Sequence, residues 1–263
     1  MVTLDQAGFH RATVAILPAP APLRDVVDFL WIDERPRFAV QHRHWRVVPD
    51  DAPHLIYYRY VDGHAGSERH RLNVVGARAR YADVDCTGRL FTVGVRLRPG
   101  AVPALFRVAA HEVTDRSVPA ALIASRPVRA LLSRLDGDAP ADVARHLTSF
   151  ITGLVAEGRP VDERAAWLAT HASTRRSVHQ LAGTLGVGDR ALRNWSATHL
   201  GLGLKRFLSV RRLHAALRTR LERPTATWSQ IAAATGFADQ PHLVRECRAM
   251  LGESPGTFFG RAS

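Results

Sequence analysis

The chain has 263 residues, 46% hydrophobic and 23% charged, a globular composition with room for about two domains. Its formal net charge is +12, and residues 171–263 hold 14 basic and 5 acidic residues, so the excess is concentrated there and points to an anionic partner. No apolar run is long enough to span a membrane. The apolar patch Ala12 to Ala21 lacks a preceding basic region and is broken by prolines, and the two cysteines, Cys86 and Cys247, form no framework or metal cluster; a non-secreted, cytoplasmic chain with reduced thiols is expected.

In chain order, a helix is expected over Leu23 to Trp31. Strands follow at Phe38 to Val48, His54 to Tyr60, Arg71 to Ala77 and Leu90 to Leu97, separated by turns at Pro49-Asp50-Asp51, Asp62-Gly63, Asp85-Cys86-Thr87-Gly88 and Pro99-Gly100. They predict an antiparallel sandwich or small barrel. After Pro103 the pattern turns helical: Ala104 to Ala110, Val128 to Leu135, Pro140 to Glu157 and Val161 to His171. Next come Ser177 to Leu185, Asp189 to Leu200, Leu204 to Leu221, Thr227 to Thr235 and a helix capped by Asp239 that runs to Leu251, then a turn at Pro255 to Phe259. The fold class is α+β, divided as 1–125 (sensor or dimerisation), 126–172 (helical linker) and 173–263 (all-α).

Two segments of the last region repeat each other. LAGTLGVGDRALRNWS (181–196) and IAAATGFADQPHLVRECR (231–248) each read as a helix, a glycine, an apolar residue, a turn and a second helix. The glycine permits the left-handed backbone of a sharp turn, and the pattern is a helix-turn-helix written twice. On the first reading helix Leu192, Trp195 and Ser196 face inward, and Arg190, Arg193, Asn194 and Ala197 face out. On the second, Leu243, Cys247 and Met250 or Leu251 face inward, and Gln240, Pro241, His242, Arg245 and Arg248 lie outside. Arginine forks onto guanine and asparagine pairs with adenine in the major groove, so these are candidate base contacts. Asp189, Lys205 and Arg206 lie where the DNA backbone would pass.

The segment Thr174 to Phe259 resembles the DNA-binding domain of the AraC/XylS family of transcription regulators, most distinctively in GFADQPHLVRECRAMLGESPGTF. The resemblance implies two helix-turn-helix units on one long helix around Lys205 to Leu221, with the reading helices about 34 Å apart in successive major grooves. Its reading positions fall on Arg190, Arg193 and Asn194, then Gln240, Pro241 and Arg245. Three departures stand out: Gly188 replaces the usual capping Ser, leaving Asp189 to cap one residue later, and Ser196 and Cys247 replace core phenylalanines. Trp195 is the candidate to fill the first of the resulting voids.

The N-terminal half resembles the cupin-like sensor half of a subgroup of these regulators, through Pro22-Leu23 to Trp31, Arg46 to Asp50, Val75-Gly76-Ala77 and Gly94 to Ala101. His42 and His44 alternate as ligands on a strand do, but no carboxylate follows as a metal site wants. Cys86 lies in a turn beside Asp83 and Asp85, which disfavours a thiolate. Trp45, Tyr57, Tyr58 and Phe91 are either an aromatic effector pocket or sheet core. The function read from all this is a bacterial, sequence-specific activator or repressor, not an enzyme and without a cofactor. Its candidate partners are double-stranded DNA, a small-molecule effector, a second copy of the chain and RNA polymerase. The alternative is a cupin-like metal protein or enzyme with a helical association domain.

Overall fold

The computed structural model describes residues 14–34, 43–61, 68–86, 89–135, 137–171 and 178–260. The strands are β1 (Val14–Pro18), β2 (Val27–Glu34), β3 (Arg43–Val47), β4 (His54–Val61), β5 (Glu68–Val75), β6 (Ala82–Cys86), β7 (Arg89–Leu97) and β8 (Ser117–Pro119). Among the described residues, β1-β2-β7-β4-β5-β8 form one antiparallel sheet in that order, while β3 and β6 pair separately. At the centre, β4 pairs with β7 from His54 opposite Arg96 to Val61 opposite Arg89.

The alternation in these strands fixes which face is covered. Leu55, Tyr57, Leu72, Val74, Phe91, Val93, Val95 and Leu97 enter one hydrophobic cluster with helices α1 (Ala101–Phe106), α2 (Val128–Arg134) and α3 (Pro140–Glu157). In α3, Val143, Leu147, Phe150, Ile151 and Leu154 recur at spacings of three and four and are buried, each contributing about 1.5–3 kcal/mol by leaving water.

Several sequence expectations need correction. Leu23 to Trp31 is not a helix: a short 3-10 turn at Ala21–Leu23 precedes β2. The segment is rich in β-branched and aromatic residues, and β1 and β7 pair with it on both sides, so the ladder outweighs a local helical reading. Cys86 ends strand β6 instead of sitting in a turn. The apolar patch near the N-terminus supplies the edge strand β1. Of the expected strand Phe38 to Val48, Arg43–Val47 is seen as β3; residues 38–42, His42 included, lie outside the described residues.

The remaining helices are α4 (Glu163–His171), α5 (Val178–Leu185), α6 (Asp189–Leu200), α7 (Leu204–Glu222), α8 (Trp228–Thr235), α9 (Gln240–Leu251) and α10 (Pro255–Gly260). They share a second hydrophobic cluster, which also takes in Ala165 and Leu168 of α4 and Val48 and Ala77 of the N-terminal half. The long α7 is its spine: Phe207, Val210, Leu213 and Ala216 are fully buried. Among the described residues, no helix is long and apolar enough to cross a membrane.

Candidate nucleic-acid interface

Helices α5 and α6 form one unit, α8 and α9 a second, and α7 joins them. Gly186 and Gly236 follow α5 and α8 with φ of 62° and 85°, the left-handed conformation that turns the chain toward the next helix. In α6, Leu192, Trp195, Ser196 and Leu200 are buried, while Arg190, Arg193 and Asn194 are exposed and Ala197 is half-buried. In α9, Leu243, Cys247, Met250 and Leu251 are buried, and Gln240, Pro241, Arg245 and Arg248 are exposed.

The two helix starts differ. Asp239 caps α9, its Oδ1 accepting the His242 N–H at 2.6 Å. Gly188 occupies the N-cap of α6 and has no side chain to cap it; the helix begins at Asp189, the residue expected to cap it, whose side chain lies outside the described residues. His242 is half-buried and tied into its own turn, accepting the Ala238 N–H at Nδ1 and meeting the Phe237 ring edge-on at 5.5 Å. Ser196 satisfies its hydroxyl on the Arg193 carbonyl, and burial pushes the Cys247 thiol up to about 12. Trp195 is buried, its Nε1–H donating to Asp162 Oδ1, just before α4, at 3.1 Å.

Residues 181–261 match a family model described as a helix-turn-helix domain, and residues 15–119 match a domain of unknown function (DUF6597). The C-terminal domain is of the AraC/XylS type. A domain of this type makes the chain a DNA-binding transcription regulator. No curated protein matches the chain. It is similar to solved structures of ToxT from Vibrio cholerae. With an apo variant from strain SCE256 it shares 10% identity over 89% of this chain and 98% of that chain, TM-score 0.43. With the O395 protein bound to (E)-4-(8-methylnaphthalen-1-yl)but-3-enoic acid it shares 10% identity over 85% and 99%, TM-score 0.45.

Part of the basic charge of the AraC/XylS-type domain serves the protein itself. Arg211 donates to the Leu168 and Ala169 carbonyls of α4, Arg212 to Ser209 Oγ, and Arg220 to the Ala226 carbonyl while lying over Trp228. Arg190, Arg193, Lys205, Arg218, Arg223, Arg245 and Arg248 remain exposed; Arg206 is half-buried. A count of charges in the sequence does not tell which arginines are half-buried and which face solvent, because packing decides it.

Of the aromatic residues proposed as a pocket, the described side chains divide between the two faces of the sheet. Tyr57 and Phe91 sit in the core on the helix-covered face, ring centroids 6.2 Å apart, and the Tyr57 hydroxyl is 2.6 Å from His70 Nδ1. Tyr58 alternates to the other face, where burial pushes its hydroxyl up to about 12. The side chains of Trp45 and His44 lie outside the described residues. A cleft of ≈ 170 Å³ between α2 and α3, lined by Arg126, Leu131, Arg134, His146 and Phe150 among others, is below the usual size of a ligand pocket.

The sequence reading missed a buried polar cluster where the two halves meet. Arg96 Nη2 donates to Asp50 Oδ1 at 2.8 Å and to Asp51 Oδ1 at 2.9 Å, and its Nη1 to Asp28 at 2.6 Å. Trp31 Nε1–H points at His54 Nδ1 at 3.4 Å, which leaves the His54 proton on Nε2 to donate to Asp50 Oδ2 at 2.9 Å. From α7, His214 Nε2–H donates to the Pro49 carbonyl at 2.6 Å, and Arg211 Nε lies 3.8 Å from Asp51. Burial alone would raise the Asp50 carboxyl; Arg96, His54 and His214 outweigh it and hold the group well below the usual carboxylate range. Asp50, Asp51 and His214 bring ligand-type atoms within 4.8 Å of one another, yet Arg96 already binds both carboxylates, so the cluster is built as an ion-pair network. Pro49-Asp50-Asp51 reads as a plain turn in sequence. The hint was Arg96, the one charge between Leu90 and Leu97 in β7.

Proposed function

We propose that the chain is a sequence-specific regulator that reads two successive major grooves: α6 through Arg190, Arg193 and Asn194, and α9 through Gln240, Pro241, Arg245 and Arg248. The observation that carries this reading is the shared solvent exposure of these side chains on paired helices whose opposite faces are buried. Lys205 and the amides at the start of α6 meet phosphates. His242 contributes through the shape of its turn.

The N-terminal half acts as the control element, taking a small-molecule effector or pairing two copies of the chain, and the regulator works in the bacterial cytoplasm, where it meets RNA polymerase on DNA. Support for a control role comes from the contacts of Pro49, Asp51, Tyr81 and Thr114 with the helix-turn-helix domain. Selection from a random duplex pool, followed by gel shifts over a salt series, tests the reading. Arg245→Ala should cost about 1–3 kcal/mol and relax one base position, whereas Lys205→Ala should weaken all sequences alike and lower the salt slope by about 1. Equal affinity for selected and bulk DNA would sink it.

A further inference from the structure

Besides the cluster at α7, contacts joining the two halves fall on the C-terminal ends of both reading helices. At the end of α6, Gly201 has φ 77°, and its carbonyl lies 2.9 Å from Thr114 Oγ1, whose single proton it shares with the Ala110 carbonyl at 3.0 Å. A Cβ there would lie 2.4 Å from that hydroxyl oxygen. At the end of α9, Gly252 has φ 79°, and a Cβ would lie 2.6 Å from the Tyr81 ring. Two of the last carbonyls of α9, which a helix leaves without intrahelical partners, are taken from the N-terminal half. The Tyr81 N–H donates to Met250 O at 2.8 Å and Arg46 Nη1 to Leu251 O at 2.9 Å. Arg46 is itself held, forked onto Asp83 at 2.8 and 3.1 Å with its guanidinium 3.9 Å from the Tyr81 ring centre.

These two grips are tied to each other. The Asp115 N–H donates to Ala77 O at 3.0 Å, Asp115 Oδ1 accepts the Ala79 N–H at 2.9 Å, and the Gly76 N–H donates to Arg116 O at 3.1 Å. Residues 76–81 and 113–116 therefore form one strap that reaches from the end of α6 to the end of α9. Ala77 of this strap is buried in the same cluster as α7, the covalent link between the units.

We propose that this strap sets the distance and tilt between the two reading helices, and that Thr114 and Arg46 are positioning residues for DNA recognition. Neither side chain need approach DNA. The inference rests on the two-helix reading above and adds that the N-terminal half determines the spacing between the two base blocks of the target. α7 joins the two units along one line and leaves each free to pivot where it packs on that helix; a second connection through hydrogen-bonded backbone removes that freedom.

The test uses the full chain and a random duplex pool. The wild type should select two base blocks at one spacing, near one duplex turn. Thr114→Val combined with Arg46→Met should select the same blocks at several spacings, bind the wild-type spacing about tenfold more weakly, and bind a single block unchanged. Thr114→Ser and Arg46→Lys, which keep a donor, should stay close to wild type. An unchanged single spacing in the double variant overturns the proposal, as does equal weakening on a single block. Hydrogen exchange without DNA supplies an independent readout. In the double variant the Gly201 and Gly252 amides should exchange about tenfold faster, with the Leu213 and Ile231 amides unchanged; unchanged caps overturn the strap. Failure of the wild type to select any two-block site would instead strike the DNA reading, while exchange at the caps would still decide the strap.

Discussion

The two helix-turn-helix units share one plan and reach it by different means. The α8–α9 unit is supported locally. Thr227 and Gln230 form a reciprocal capping box at the start of α8, and Asp239 caps α9. The α5–α6 unit has a glycine at the N-cap of its reading helix, and its tryptophan turns aside to Asp162 before α4. The first unit is thus held mainly by its neighbours, the second also by its own sequence. Repeated topology does not imply repeated energetics: caps give a helix about 1 kcal/mol of its own, while tertiary contacts make it depend on the state of another element.

The largest expected effect falls on the support both units share. Arg96→Met leaves Asp50 and Asp51 buried without their main cation and should cost about 3–5 kcal/mol in urea unfolding at pH 7. The same cluster predicts a pH dependence. Asp50 has a native pKa below its unfolded value, so its contribution is complete above about 4 and is lost as the pH falls on through the native pKa; Asp50→Asn should flatten that acid limb.

Next come the cores of the two units. Leu192→Ala and Leu243→Ala should each cost about 2–5 kcal/mol, since both side chains are buried at matching places. A difference beyond about 2 kcal/mol between them in the same unfolding assay would break the equivalence of the cores. Asp239→Ala should cost about 1 kcal/mol and hasten exchange in the first turn of α9 only. The smallest effect should be a gain. Gly188→Ser places a capping hydroxyl at φ −70°, ψ 158°, where a Cβ meets nothing within 4 Å, and should stabilise by a few tenths of a kcal/mol in thermal unfolding. A loss there would show that α6 does not accept the cap its partner helix uses.

The sequence by itself determined what depends on near neighbours. Amphipathic spacing, the glycines 186 and 236, and the Asp239 cap specify where α3, α6, α7 and α9 run and which faces they bury. Which side chains face solvent was legible for the same reason, since a helix that buries Leu243 and Cys247 must turn Arg245 and Arg248 the other way. Tertiary structure decided what depends on distant partners. Val27–Glu34 became a strand because β1 and β7 flank it, Tyr57 and Phe91 went to the core because the sheet was covered on their side, and Arg46 met the end of α9 across 205 residues of chain. Periodicity records which side of an element is wet, but it carries no information about which remote element supplies a hydrogen-bond partner, and the joint between the two halves is made of such partners.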